Sequence, residues 1–293
     1  FSLDGNEASG ALQVAFNGTP HVSGTLAFPR LDIDPYFDGL REEIAAREED
    51  WQRVGIDTDW FRRLNSDVRL SAGRLSLGRV ALGNAAVSVL LKDGRLEVGL
   101  AQAGFYGGAV AGTVSITDAE SGAGAAAEAQ LRASDFNLRE ARSSLGIEAN
   151  LSGLSTVAVD VNTAGDTLGE LVGGLEGNIA LGAASGTLPV GLEAVAAALQ
   201  NGDFQGTFES GNATLFEKLD AAFGLGGQAA VVQRAAVDAN GYAAVLSGEI
   251  GLHTGSVALS GAMSLSGSDA PAAPFTISGT LRRPTVSLRG GAN

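Results

Sequence analysis

The stretch from Asp67 to Thr117, DVRLSAGRLSLGRVALGNAAVSVLLKDGRLEVGLAQAGFYGGAVAGTVSIT, decides the fold. Its apolar residues fall at every second position in short runs: Val68, Leu70 and Ala72; Leu75 and Leu77; Val80 and Leu82; Val87, Val89 and Leu91; Leu96, Val98 and Leu100; Val110, Val114 and Ile116. A period of two places them on one face of successive strands, with Arg, Ser, Glu and Lys on the other. Asp93-Gly94, between two such runs, is a two-residue hairpin signal, because a type I′ turn requires positive φ at both central positions. The stretch therefore reads as an antiparallel meander with one apolar and one wet face.

Upstream, Leu12, Val14 and Phe16 alternate, Asn17-Gly18 makes a turn, and a second strand follows through Val22, Gly24 and Leu26. Asp32, Asp34 and Asp38 do not make a calcium loop. An EF-hand beginning at Asp32 needs Gly at its sixth position, where Phe37 stands, although Glu43 fits its twelfth. From Phe37 to Val54 the apolar residues Phe37, Leu40, Ile44, Trp51 and Val54 move to near-helical spacing among many Glu and Arg residues, which predicts a charged amphipathic helix. Trp60, Phe61 and Leu64 read as core. Downstream, 120–127 is a Gly/Ala-rich turn. Strands are expected through Ala129 and Leu131, Val157 to Val161, and Ile179 to Ala183, separated by short helices over Asp135–Leu145 and after the capping box Thr167-Leu-Gly-Glu170. Two further helices are predicted. One follows Pro189 with the face Leu192, Val195, Ala196 and Leu199 and stops at Asn201-Gly202; the other follows a second capping box, Thr214-Leu-Phe-Glu217, and runs to Phe223. Strands return from Val231 to Leu288, interrupted by a polar loop over 266–274.

The fold class is thus mainly β with short helices: a long curved antiparallel sheet with helices packed against or flanking it. The divisions are an opening hairpin over 1–36, a charged helical excursion over 37–64, the meander over 65–118, and strands with short helices over 119–293.

The chain has 293 residues, is 45% hydrophobic, and contains 42 glycines, a composition suited to many short strands and tight turns. A formal net charge of −14, with Lys92 and Lys218 the only lysines, argues against nucleic acid, whose phosphates are held by Lys and Arg. The chain has no cysteine, so disulfides and thiolate metal sites are excluded. His21 and His253 are single and far apart, and no nucleophile elbow, Walker loop or Gly-rich dinucleotide turn is present. Gly224, Gly226 and Gly227 follow an expected helix instead of joining a strand to one. The inventory favours a protein that is not an enzyme, with no cofactor and no metal. No apolar run reaches the ~20 residues that span a bilayer, and no signal sequence opens the chain. Any anchor is therefore expected upstream of Phe1.

Four stretches resemble the carboxy-terminal region of the AsmA family. They are Gly24 to Tyr36 (GTLAFPRLDIDPY), Gly104-Phe105-Tyr106-Gly107-Gly108, the Thr214-to-Phe223 segment (TLFEKLDAAF), and the closing GTLRRP from Gly279, which echoes GTLAFP from Gly24. The charged segment 37–54 has no counterpart in the resemblance. The resemblance implies a periplasmic protein, tethered to the inner membrane by segments absent from this chain, that affects outer-membrane composition and carries phospholipid or another envelope lipid along an apolar groove. The residues expected to line the groove are Leu70, Leu77, Leu82, Val89, Leu91, Leu96, Val98, Leu100, Val110, Val114 and Ile116. Their ordinary alternative is core beneath the helices. Two other functions fit the sequence: a scaffold that binds envelope protein partners through a sheet edge, and a Gly-rich β-solenoid adhesin, which the expected helices disfavour.

Overall fold

The structure is a computed structural model that describes residues 2–3, 5–16, 18–118, 124–147, 150–201, 206–209, 213–252, 254–267, 272–281 and 283–288. Asn17, His253, Gly202, the first residues of the 120–127 turn and the middle of the 266–274 loop lie outside the described residues.

Among the described residues the elements in chain order are β1 (Ser2–Leu3), β2 (Asn6–Glu7), β3 (Ser9–Ala15), β4 (His21–Asp32), α1 (Asp38–Arg47), β5 (Asn65–Leu77), β6 (Val80–Lys92), β7 (Arg95–Phe105), β8 (Gly108–Asp118), β9 (Ala125–Asn137), α2 (Leu138–Ser144), β10 (Ser152–Gly165), α3 (Leu168–Gly173) and β11 (Glu176–Leu188). They continue with α4 (Leu192–Gln200), β12 (Gly206–Glu209), β13 (Thr214–Gly226), β14 (Ala229–Ala239), β15 (Tyr242–Gly251), β16 (Ser256–Leu265), β17 (Ala273–Thr280) and β18 (Arg283–Leu288). Sixteen strands form one sheet in the order β12-β18-β17-β16-β15-β14-β13-β11-β10-β9-β8-β7-β6-β5-β4-β3, and β1 and β2 form a separate pair. The mainly β sheet with short helices is therefore as the alternation predicts. Two compact units divide the chain: 1–134 with 159–176, and 135–158 with 177–293.

In the first unit the hairpins are tight. Asp93 and Gly94 have φ of 51° and 80°, as the type I′ turn demands, and Lys92 pairs with Arg95 across it. Tyr106 and Gly107, at 44° and 87°, turn the next hairpin in the same way, closing on Phe105 and Gly108. One pair breaks the antiparallel rule: β4 and β5 run parallel, with Leu26 opposite Leu70 and Phe28 opposite Ala72. A parallel neighbour cannot be reached by a hairpin, so residues 33–64 must return the length of a strand, roughly 40 Å, before β5 begins.

The excursion is where the expectation of one amphipathic helix is corrected. The chain makes a 3-10 turn over Asp34–Phe37, α1, and a second 3-10 turn over Glu48–Arg53. Phe37 is 41% exposed, Ile44 is half-buried, and the other described side chains of α1 are exposed. Dense Glu and Arg leave too narrow a stripe to bury. Trp60, expected in the core, is also exposed, standing edge-on to the buried Phe61 at a ring-centroid distance of 4.5 Å.

In the second unit one face is closed. A ladder row runs Ala183, Leu219, Val237, Ala244, Met263, Ala273, and every one of these side chains is buried. α4 supplies Leu192, Val195, Ala196 and Leu199 to the same cluster, as its spacing predicts, although the helix begins three residues after Pro189. The helix expected over Thr214–Phe223 is instead β13, paired with β11 and β14. Its buried positions are Thr214, Phe216, Leu219 and Ala221: alternation with one slip, next to Ser185 of β11 at φ 51°. The Thr214 hydroxyl, offered by the sequence as a cap, donates to the Val190 carbonyl and accepts from Leu192 N at 2.8 Å. It therefore secures the start of α4. The other capping box forms as read, with Thr167 Oγ1 accepting from Glu170 N at 3.2 Å and a Glu170 carboxylate oxygen accepting from Asp166 N at 2.7 Å. The helix at 135–145 is shorter than expected; Asn137 caps α2 by accepting from Arg139 N and Glu140 N, and Phe136 belongs to β9.

Candidate functional site

The registers of β4 to β9 bring the alternating residues of the meander into rows across the first unit. One row runs Val22, Ser66, Leu91, Leu96, Ile116, Ala127. The second runs Gly24, Val68, Val89, Val98, Val114, Ala129, and the third Leu26, Leu70, Val87, Leu100, Gly112, Leu131. Val110 stands in a fourth position between Ala103 and Ala133. Nine of the eleven groove candidates thus share one face. The remaining two, Leu77 and Leu82, lie beyond Pro29, Gly73 and Asn84, which are left out of the ladder and where Asn84 takes φ 47°. Alternation slips there. Leu75, opposite Leu82, packs with Leu31, Phe28 and Ala72, while Leu77 is 42% exposed.

Burial along these rows differs from that in the second unit. Leu91 is buried; Leu70, Leu82, Val89, Leu96, Val98, Leu100, Val110, Val114 and Ile116 are only half-buried, and Leu131 is 37% exposed. Neighbours in the same sheet flank them, and among the described residues no helix packs an apolar face into them as α4 does in the second unit. At β3, the edge of the sheet, Leu12 and Val14 are about half exposed as well. On the opposite face Arg95 donates to Ser115 Oγ at 2.9 Å and approaches Glu128 at 3.7 Å, which keeps that side wet.

The excursion bounds the apolar face. At one end Asp34 Oδ1 accepts from Gly78 N at 2.5 Å and from Arg41 Nη2 at 2.8 Å, tying the connection to the β5–β6 turn. The Gly78 N–H, then Arg41, hold the Asp34 carboxyl below its usual range. At the other end the chain walks across the strand ends. Val54 O accepts from Leu168 N, Ile56 N donates to Asp166 O, and Ile56 O accepts from Gly124 N. The Thr58 hydroxyl lies 2.7 Å from Asp118 Oδ1 and 3.0 Å from the Gly124 carbonyl, and Arg62 Nε donates to Asp118 Oδ2. Asp118 has its side chain 1% exposed, and its carboxyl is held low by the Thr58 bond first and Arg62 second. This end rail accounts for the burial of Val54, Thr58 and Phe61. The sequence carried no signal for it: Asp118 is 60 residues from Thr58 and 56 from Arg62, and the three match no motif.

The face offers apolar surface and width, and among the described residues no group of His, Asp and Glu is placed to hold a metal ion. No described helix is long and apolar enough to cross a membrane. Comparison with known proteins gives one finding. The model of the AsmA family matches residues 19–228, which include β4, the excursion, the whole of the half-open face and β11 to β13. No curated protein and no solved structure matches the chain. With more than two thirds of its length matched, the chain belongs to the AsmA family, a family of bacterial envelope proteins.

Proposed function

We propose that this chain is a non-catalytic part of the envelope machinery that maintains the outer membrane, and that the apolar face of its first unit holds the acyl chains of phospholipid in the periplasm. The observation that supports this reading is the difference between two like faces. The row through Leu219 and Val237 is buried beneath α4, whereas the row through Val89, Val98 and Val114 is half-open. An apolar face of several adjoining rows is costly in water, at roughly 25 cal/mol per Å². Each methylene of an acyl chain laid upon it contributes about 0.8 kcal/mol, so two chains are held without a specific polar contact. Tethering to the inner membrane belongs to the same proposal and rests on the family alone.

The experiment is a charge placed in the middle of the face. Leu100 sits between Val87 and Gly112 and is half-buried, so Leu100→Lys keeps its fold by turning the ammonium outward. Lipid recovered from detergent-free protein is expected to fall about tenfold or more, since a cation on the face removes apolar contact and adds desolvation cost. Recovery equal to wild type from a folded variant contradicts the reading. A scaffold that docks partners by its sheet edge remains the second reading; the specific observation in its favour is β3, an edge strand with no charged residue and with Leu12 and Val14 exposed.

A further inference from the structure

The connection between β4 and β5 does more than join them. Its ends are fixed on opposite ends of the strands, Asp34 on Gly78 and Thr58 with Arg62 on Asp118. Asp118 lies two residues beyond Ile116 on β8, so its side chain has the parity of Val114 and Ile116 and belongs to the apolar face. The backbone agrees. Asn65 N donates to Pro20 O and thus turns toward β4, so Val68 and Leu70, of opposite parity, turn theirs toward β6. With that orientation a right-handed crossover, the rule for parallel neighbours, passes over the apolar face. The stretch that makes the passage is α1 with its flanking turns, whose contacts are chiefly with one another and with α3 and whose described side chains are largely exposed. It spans the face without sealing it. Residues 33–64 carry nine acidic and five basic side chains, which makes this stretch strongly charged.

We propose that residues 33–64 form a latched strap across the half-open face, and that lipid enters or leaves the rows beneath it when the Thr58–Asp118–Arg62 latch opens. This rests on the lipid reading above. The rows run across the strands and the strap passes over them between its two anchors, so a lipid moving along the rows passes under the strap, and a head group wider than its acyl chains passes only when the strap lifts. The opposite anchor, Asp34 on Gly78, is exposed and serves as the hinge side. The latch is the end where a buried carboxylate has both oxygens occupied by the strap.

The absence of cysteine makes the test direct. A Thr58→Cys, Asp118→Cys pair removes the latch when reduced and replaces it with a disulfide when oxidised. Transfer of a chain-labelled fluorescent phosphatidylethanolamine from phosphatidylcholine vesicles is followed in both states, with free thiol measured to establish the bond. Oxidised protein is expected to exchange lipid at least about tenfold more slowly than wild type, and reduced protein faster than wild type, as for gated sites whose access is set by a closing segment. Asp118→Asn, which keeps the shape and removes the charge, is expected to exchange faster than wild type and covers the case in which the disulfide does not form. Equal rates in wild type, Asp118→Asn and both redox states, in protein that does take up the probe, overturn the strap and leave the lipid reading standing. No uptake by wild type overturns the lipid reading and the strap with it.

Discussion

At the scale of single residues, the behaviour of the latch with pH follows from its carboxyl. Asp118 is held below the ordinary carboxylate range by Thr58 and then Arg62, and Asp34 by Gly78 N and then Arg41. A lowered folded value contributes stability that is fully present above the unfolded value, near 4, and is lost as pH falls through the folded one. Hydrogen exchange of the 54–64 backbone is therefore expected to be protected without change from about pH 8 to pH 5 and to lose protection only below roughly pH 4. Loss of protection near neutrality contradicts the assignment. In the second unit Tyr242 is buried, and burial pushes its phenol up. The hydroxyl of Thr214, its neighbour, donates to Val190 and accepts from Leu192, and among the described residues the Tyr242 oxygen has no partner in hydrogen-bond geometry. Tyr242→Phe removes an unsatisfied buried group and is expected to leave stability unchanged or raise it by up to about 1 kcal/mol in denaturant titration. A loss of 2 kcal/mol or more, on the scale of a broken buried hydrogen bond, would show that the hydroxyl is bonded.

At the scale of elements, β13 marks the limit of what periodicity discloses. In a helix Leu215 and Leu219 share the apolar stripe; in the strand Phe216 is buried at 4% exposure and Leu215 faces out at 66%. Phe216→Ala is therefore expected to cost about 3–5 kcal/mol, and Leu215→Glu within about 0.5 kcal/mol of nothing. The reverse order contradicts the register. The sequence misled here because the capping-box pattern Thr214-Leu-Phe-Glu217 precedes Leu219, Ala222 and Phe223 at helical spacing, while one slip between Phe216 and Leu219 breaks the alternation that would have marked a strand. Where alternation is unbroken, as in Val87-Val89-Leu91 or Leu96-Val98-Leu100, strand, face and turn were all legible, because each residue's side is set by local geometry alone. The parallel β4–β5 pairing and the end rail were not, since they depend on contacts such as Thr58 with Asp118, sixty residues apart. α4 lay between these cases: its apolar face was clear from spacing, and the sheet it covers was not.

At the scale of the whole molecule, each unit meets the same problem, a long sheet with an apolar side, in its own way. The second unit closes that side with α4, so Val195→Asp at a fully buried position is expected to lower its stability by at least about 3 kcal/mol, while Val98→Asp on the half-open face of the first costs distinctly less. Similar losses at both positions would mean that the first face is closed in solution. The direct measurement of the central claim is quantitative mass spectrometry of organic extracts from protein purified without detergent, beside native mass spectrometry of the intact chain. Phospholipid at about one molecule per chain or more, depleted by Leu100→Lys, is the predicted result. A folded, lipid-free wild-type chain that also takes up none from vesicles contradicts it.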